Sequence, residues 1–312
     1  MGASVHSQSP LPVPESPTMR LLAALLIALP VPVHAAVRGP PPDRITILYD
    51  AFGDRPGLVR DWGFAALIEF GGKRILFDTG NDAATFERNV RALHADLRRL
   101  DFVVVSHRHG DHTGGLSYLR EVNPGVTIYA PKENFGSFGS EIPSGFVRRD
   151  STLPARMRYY GGALPEAIVS STPWSGARFV RLDTLTEVAP GVAIVSTVSR
   201  TPGTLELREL SLALRTPAGV VLVVGCSHPG IETILAAAHP FGEHVHAIFG
   251  GLHLVATPDA EIARLAKALH DDWRLDRVAP GHCTGEPALT ALARAFGNRY
   301  VYAGLGTTLA LD

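Results

Sequence analysis

The chain has 312 residues, of which 46% are hydrophobic and 19% are charged, and its formal net charge is −1. This composition excludes a disordered chain, and the balanced charge gives no basic surface of the kind that nucleic-acid-binding proteins need. We therefore expect a folded protein with no nucleic-acid partner.

The first 36 residues predict a secretory signal peptide. Arg20 precedes an apolar run at 21–29, and small residues that suit a cleavage site follow at 33–36. The apolar run is too short to span a bilayer comfortably. We therefore expect a periplasmic or secreted protein with no stable membrane insertion after the signal is cleaved, and a retained N-terminal anchor is the alternative.

The boundaries of the mature domain follow from this signal. Because Met19 would begin a conventional signal by itself, residues 1–18 are interpreted as an over-extended start of the chain. Residues 37–43 are rich in proline and predict a linker. Residues 44–312 then form one domain of roughly 270 residues, which is near the upper limit for a single hydrophobic core.

Strands and helices are predicted along the whole of this domain. Short apolar runs predict strands at 44–50, 64–70, 74–78, 102–106, 126–130, 192–197, 210–215, 220–224, 245–249 and 299–303. Apolar residues at helical spacing predict helices around 86–97, 231–238 and 262–269. This mixture predicts an α/β domain.

The insert at about 131–185 is the least regular part of the domain, with aromatic residues scattered among glycines, prolines and arginines. Long irregular inserts in compact domains are usually functional. We expect it to form a substrate wall over the site, with Arg148, Arg149 and Arg158 available for a carboxylate or phosphate. A solvated surface loop is the alternative.

Three histidines and one aspartate follow the predicted strand at 102–106 within six positions: His107, His109, Asp111 and His112. In an extended chain His107 and His109 point to the same side, so their imidazoles can converge on one ion. Asp111 and His112 lie beyond a glycine bend and can turn toward a second ion. Imidazole and carboxylate suit Zn²⁺, which we expect first, and also Fe or Mn²⁺. The motif therefore predicts two divalent metal ions.

Other histidines stand in small-residue turns after apolar strands. The turns read G-C-S-H-P-G at 225–230, G-G-L-H-L at 250–254 and G-H-C-T-G at 281–285. Upstream, the apolar run at 74–77 ends in Asp78. Together with H-x-H-x-D-H at 107–112, these motifs resemble the metallo-β-lactamase fold superfamily. The three later turns narrow the resemblance to its branch of 7,8-dihydropterin-6-methyl-4-(β-D-ribofuranosyl)aminobenzene-5′-phosphate synthase-like proteins.

The resemblance implies a fold and a set of roles. The fold would be a four-layer αββα sandwich with its site at one sheet edge. Asp78 would brace the metal-binding loop instead of binding metal. Asp111 would bind one ion and hold or shuttle a proton, which makes it the expected catalytic residue. His282 would bind the second ion together with His112.

Two departures from the superfamily pattern concern the metal ligands. Arg200 stands where many members have a histidine ligand, and a protonated arginine cannot ligate a cation. The first ion would then lack its third imidazole, for which His228 is our candidate and His253 the alternative. Cys226 stands where many members have a bridging aspartate. It is either a thiolate ligand or a small residue packed under the site.

These features predict an exported hydrolase that acts on a small-molecule substrate. Hydroxide generated between two metal ions would attack an ester, lactone, amide or phosphodiester, or the enzyme would run the related condensation implied by the synthase name. Two other classes stay open on the same fold. One is an iron-dependent oxidoreductase or dioxygenase, and the other is a metal-depleted periplasmic binding module. The pattern defines no oligomeric state.

Overall fold

The computed structural model describes residues 43–133, 138, 141–143, 149–169 and 174–311, together with residues 1, 2 and 9. The chain divides into two units, Met1–Gly39 and Pro40–Asp312. The predicted signal peptide and linker lie almost wholly outside the described residues. Their predictions therefore stay predictions, and the architecture below is that of the second unit.

The strands of the described residues form two large mixed sheets and one short antiparallel pair. In chain order they are β1 (Arg44–Tyr49), β2 (Ala65–Phe70), β3 (Lys73–Phe77), β4 (Phe102–Val104), β5 (Thr127–Pro131), β6 (Glu141–Pro143), β7 (Ala167–Val169), β8 (Arg178–Leu182), β9 (Thr186–Ala189), β10 (Val192–Val198), β11 (Arg208–Thr216), β12 (Gly219–Val224), β13 (Val245–Gly251), β14 (Arg277–Gly281) and β15 (Thr308–Ala310).

The α-helices of the described residues are α1 (Ala83–Ala92), α2 (Gly110–Thr113), α3 (Leu116–Val122), α4 (Ile231–Ala238), α5 (Asp259–Asp271) and α6 (Glu286–Phe296). Short 3₁₀ turns occur at Leu97–Arg99, Ala155–Met157, Tyr159–Gly162, His282–Thr284 and Gly297–Arg299. Within the part of the chain that is described, none of the helices is both long enough and apolar enough to cross a bilayer.

Each large sheet combines antiparallel and parallel pairing. The first sheet has the order β15-β1-β2-β3-β4-β5-β8, in which β3, β4, β5 and β8 run parallel. The second sheet has the order β14-β13-β12-β11-β10-β9, in which β12, β13 and β14 run parallel. The pair β6–β7 stands apart from both. In each large sheet the parallel strands bring several carboxyl-terminal strand ends to the same edge.

Alternation along the strands builds the layers, because successive side chains point to opposite faces of a sheet. In β3, Ile75 and Phe77 belong to the core between the two sheets, whereas Leu76 packs with residues of α1 and α3. In β12, Val223 belongs to the same inter-sheet core, whereas Leu222 packs with residues of α4, α5 and α6. The result is the predicted four-layer αββα sandwich.

Some sequence predictions of elements are wrong. Residues 299–303 are not a strand: Val301 donates one backbone hydrogen bond to Val278, at 2.8 Å, and the last strand of the first sheet comes later, as β15. Strand β14 was expected before the G-H-C-T-G turn but without bounds, because Pro280 interrupts its apolar pattern. As an edge strand it tolerates this proline. The insert is also more regular than expected, because β8 extends the first sheet beside β5.

Candidate metal centre

The motif residues lie directly after strand ends. Asp78 follows β3, the segment 107–112 follows β4 after two residues, and the turn 225–230 follows β12. His253 comes two residues after β13, and His282 immediately after β14. Since parallel strands end on the same side of a sheet, loops that are far apart in the chain meet there.

The first cluster consists of His107, His109 and His228, whose candidate ligand atoms lie within 4.8 Å of one another. Nε2 of His107 is 3.1 Å from Nδ1 of His109. The ring centroid of His228 lies 4.7 Å from that of His107 and 4.8 Å from that of His109. Burial and the neighbouring imidazoles hold the pKa of His107 well below its usual range. His107 is therefore neutral, as a metal ligand must be.

His228 thus lies with the two histidines of the H-x-H motif. It provides the third imidazole that Arg200 cannot supply. Arg200 is exposed in the turn after β10, and its protonated guanidinium cannot ligate a cation. The neighbouring Ser199 instead donates a hydrogen bond from Oγ to the backbone carbonyl of His228, at 3.1 Å. The turn that carries the arginine therefore supports the backbone of His228.

The second cluster consists of Asp111, His112, Cys226 and His282. Oδ2 of Asp111 lies 3.4 Å from Nε2 of His282 and 3.8 Å from Nε2 of His112. Burial opposes ionisation of Asp111, but the imidazoles of His282 and His112 outweigh it and lower the pKa of this carboxyl. The two clusters adjoin each other, because the ring centroids of His107 and His112 are 4.2 Å apart.

Asp78 braces the loop that carries these histidines. Its buried carboxylate accepts hydrogen bonds from the backbone N–H of Ser106 at 2.6 Å and from the Ser106 hydroxyl at 2.7 Å. It also lies 2.7 Å from Nδ1 of His112. Burial opposes protonation of His112, but the Asp78 carboxylate prevails and raises the pKa of this imidazole to about 9. A cation bound at Nε2 would therefore displace a proton.

Glu209 is a second buried carboxylate of this kind, and it was not among the site residues predicted from the sequence. It belongs to β11 and accepts backbone hydrogen bonds from Cys226, Ser227 and His228 at 2.8, 2.7 and 2.9 Å. The same carboxylate lies 3.1 Å from Nδ1 of His228. Burial opposes ionisation, but His228 and these N–H groups lower the pKa of Glu209. A lone glutamate inside an apolar strand was the available signal.

Asp50 supports His282 in the same way. It lies just after β1, is fully buried, and accepts the backbone N–H of His282 at 3.2 Å and 3.1 Å with its two oxygens. Burial raises the pKa of Asp50 to about 6, although the hydrogen bonds donated by the N–H groups of Phe52 and His282 act to lower it. His282 has a φ of 48°, a left-handed conformation that is strained for a non-glycine residue. The hydrogen bonds to Asp50 help to hold this turn.

The ring of His282 provides a test of whether a metal fits. The residue is buried, yet neither Nδ1 nor Nε2 has a hydrogen-bond partner among the described residues. Buried polar atoms without a partner are rare in native proteins and call for an explanation. The surrounding donors are imidazoles, a carboxylate and a thiol, which are the ligands that zinc takes in proteins. The residues therefore fit a divalent metal ion.

Cys226 also belongs to a third group, with Cys283 and His253. Both cysteines are free and buried, with their Sγ atoms 3.3 Å apart. Cys226 Sγ lies 3.2 Å from Nε2 of His112, and burial raises the pKa of its thiol. His253 is exposed, and its ring centroid lies 4.3 Å from that of His228. It therefore stands beside the first cluster and outside it.

The arginines of the predicted substrate wall lie elsewhere. Arg148 lies outside the described residues. Arg149 and Arg158 line a pocket of about 290 Å³ in the insert, and no residue of the first or second cluster lines that pocket. The role assigned to these arginines stays a prediction.

Two facing mixed sheets between helical layers, with a histidine-rich cluster at their strand ends, define a protein of the metallo-β-lactamase fold. Residues 73–155 match the family model of the beta-lactamase superfamily domain. The crystal structure of Tm1679, a metal-dependent hydrolase of the beta-lactamase superfamily, is similar at a TM-score of 0.65 and 25% identity, over 86% of this chain and 99% of that chain. YhfI from Bacillus subtilis shares the fold, with a TM-score of 0.55 at 13% identity over 86% of this chain and 100% of that chain.

Over residues 73–155 the chain therefore resembles the beta-lactamase superfamily, whose fold it has. Within it, a relative is 7,8-dihydropterin-6-methyl-4-(β-D-ribofuranosyl)-aminobenzene-5′-phosphate synthase of Methanocaldococcus jannaschii, which is 28% identical over 237 residues, 68% of this chain and 76% of that protein. An uncharacterized protein of the same organism, MJ0448, is 27% identical over 262 residues, 80% of this chain and 93% of that protein. The resemblance to the dihydropterin synthase-like branch is thus confirmed.

Proposed function

We propose that this protein is a hydrolase that uses two divalent metal ions, zinc first, to cleave an ester, lactone, amide or phosphodiester of a small molecule. The observation that carries the proposal is the pair of adjoining clusters, three imidazoles in the first and two imidazoles with a carboxylate in the second. One complete cluster would suffice for a structural ion. Two adjoining clusters are the arrangement of hydrolytic sites that use two metal ions.

His107, His109 and His228 would hold one ion, and Asp111, His112 and His282 the other. When bound, such ions lower the pKa of water and polarise the oxygen of the group under attack. Among the residues of the second cluster Asp111 is the one open to a substrate: its side chain is 19% exposed, whereas those of His112 and His282 are 0% exposed. Its Oδ2, which faces both imidazoles, would hold the ion, and its other oxygen would take the proton from the attacking water and pass it to the leaving group. Asp78 and Glu209 would orient His112 and His228.

The metal content of the purified protein tests this proposal. We expect about two zinc ions per chain, about one in His107→Ala and in His282→Ala, and still two in the exposed control His239→Ala. Two irons would direct the search to an oxidoreductase. A chain that binds no metal would overturn the proposal and favour a binding module.

Asp111→Asn tests the role of the carboxylate. General acid–base residues contribute about 10²- to 10⁴-fold. We therefore expect a loss of at least about 100-fold in kcat on any ester, lactone or phosphodiester that the protein cleaves, with most of the metal retained. Asp259→Asn, on the exposed start of α5, is the matched control. Full activity of Asp111→Asn would contradict the assignment.

The synthase name of the Methanocaldococcus jannaschii relative supports a related condensation as a second candidate reaction. A condensation that forms the bond which a hydrolase cleaves would use the same polarised oxygen. A screen that shows condensation of two substrates, with no hydrolysis of their product, would favour this candidate over the hydrolase.

We also propose that the protein is exported to the periplasm or secreted. The support is the sequence pattern at 19–36, a basic residue, an apolar run and a small-residue cleavage site. Mass spectrometry of the protein recovered from its producing cells tests it. We expect a mature chain that begins after Ala35 or Ala36, and a chain that still begins before Leu29 would contradict cleavage.

A further inference from the structure

A cleft of about 820 Å³ opens beside the second cluster, since His282 is one of its lining residues. We call it the Trp62 cleft. Its other walls come from the loop between β1 and β2, the loops after β13 and β14, and the segment before β15; they include Arg60, Trp62, Val255, Glu286 and Tyr302. The volume suits a small molecule.

Large apolar side chains are exposed together in this cleft. Trp62 is 44% exposed, Val255 is 52% exposed and Tyr302 is 53% exposed. Each lies on a different loop, so their meeting is a product of the fold. Exposed apolar groups gathered in a concavity next to convergent polar groups mark a ligand site. Two of the three side chains are aromatic, which favours a flat ring as the ligand.

Trp62 is positioned directly against the candidate metal centre. Its ring centroid lies 5.1 Å from that of His282. The next residue, Gly63, packs so closely on the metal-binding loop that a Cβ at this position would lie 2.6 Å from the backbone oxygen of Asp111. On the other side, the backbone N–H of Trp62 donates to Oδ1 of Asp61 at 2.8 Å. A ring bound on Trp62 would therefore lie beside His282 and close to the backbone of Asp111.

The charged residues of the cleft restrict which charged groups the rest of the ligand can carry. Arg60 is exposed, and its side chain makes no hydrogen bond or ion pair with any described residue. Asp54 and Glu286 also line the cleft and would repel a polyanion. One negatively charged or strongly polar acceptor group, placed at Arg60, satisfies this pattern.

We propose that the Trp62 cleft binds the substrate through a planar aromatic or heteroaromatic ring, with Trp62 and Tyr302 contacting the ring and Arg60 binding a single anionic substituent. The proposal rests on the proposed function, because it names the substrate class of that site. It also differs from the predicted substrate wall, whose pocket around Arg149 and Arg158 touches neither cluster.

Calorimetric binding of two probes to the intact, metal-loaded protein tests the ring. The probes are 2-naphthoate and its fully saturated counterpart, decahydro-2-naphthoate. Aromatic contacts add about 0.5–1.5 kcal/mol beyond the area buried, so we expect 2-naphthoate to bind about three- to tenfold more tightly. Trp62→Ala combined with Tyr302→Ala should abolish this preference, whereas Trp62→Phe should keep it. Leu205→Ala, a 62% exposed leucine outside both the cleft and the insert, is the control and should change nothing.

The substituent is tested with 2-naphthamide, which keeps the ring and loses the charge. Arg60→Gln should weaken 2-naphthoate binding at least threefold and leave 2-naphthamide binding unchanged. Equal affinity of wild-type protein for 2-naphthoate and decahydro-2-naphthoate, or a preference that survives in the double variant, would overturn the ring subsite. An unchanged 2-naphthoate affinity in Arg60→Gln would overturn the role of Arg60.

These outcomes separate the subsite from the reaction. A ring preference that depends on Trp62, without turnover of any ester, lactone, amide or phosphodiester, would leave the subsite standing and refute the hydrolase. Hydrolysis without any ring preference would refute the subsite alone. Circular dichroism of each variant verifies that the fold is intact.

Discussion

Replacing Glu209 with glutamine tests how the first cluster is held in place. The carboxylate is fully buried, and its Oε2 accepts the backbone N–H of His228 at 2.9 Å and faces Nδ1 of the same residue at 3.1 Å. Its Oε1 accepts the N–H groups of Cys226 and Ser227. Glutamine keeps one acceptor oxygen and turns an NH₂ group toward the donors that the other oxygen served.

The expected magnitude follows from these four contacts. Two hydrogen bonds to a charged acceptor are lost, at about 1.5–3 kcal/mol each, or about 3–6 kcal/mol together. Removing a buried charge offsets part of this loss. We therefore expect Glu209→Gln to lower the free energy of unfolding by about 3 kcal/mol. Groups that orient a ligand histidine change metal affinity by about 10- to 100-fold, so the ion at the first cluster should bind that much more weakly.

Two measurements check this expectation. Urea unfolding of the metal-free protein gives the free energy, and zinc titration against a competing chelator gives the affinity of each cluster. Glu121→Gln is the control, because Glu121 is exposed on α3 and makes no hydrogen bond or ion pair with the described residues. The reasoning is refuted if Glu209→Gln unfolds with the control, or if both ions weaken equally, since Glu209 faces the imidazole of His228 in the first cluster and reaches the second cluster only through the backbone N–H of Cys226.

Other perturbations have equally definite outcomes. Gly63→Ala places a Cβ 2.6 Å from the backbone oxygen of Asp111, at a residue whose φ is 147°. Turnover should therefore fall at least about tenfold, and the free energy of unfolding should fall by about 2 kcal/mol. Gly125→Ala is the control and should be neutral, because no atom lies within 4 Å of its added Cβ. Leu212→Ala empties a fully buried site between the sheets and should cost about 2–5 kcal/mol in urea unfolding; the 62% exposed Leu205→Ala should cost far less. Iodoacetamide should modify both cysteines when the protein is unfolded in urea, and should modify neither rapidly in the native protein, because both thiols are free and buried. If the intact mass in urea shows no alkylation, the two cysteines form a disulfide.

Local patterns in the sequence were sufficient to predict most of the architecture. Short continuous apolar runs predicted the inner strands of both sheets, because those strands are buried on both faces. The edge strands were harder, and β8, β9 and β15 were missed since their side chains are partly exposed. The H-x-H-x-D-H motif indicated a metal site because its ligands lie close together in the chain.

The tertiary structure alone decided which distant residues complete the site. His228 meets His107 and His109 only because β12 and β4 end at the same place, and Asp50 reaches His282 across 232 positions. Trp62 carries no motif and looks like an ordinary loop residue, and the apolar strand around Glu209 marks this glutamate without indicating that it contacts His228. Contacts of this kind depend on how two sheets pack, and packing is a property of the whole chain that no window of neighbouring residues contains.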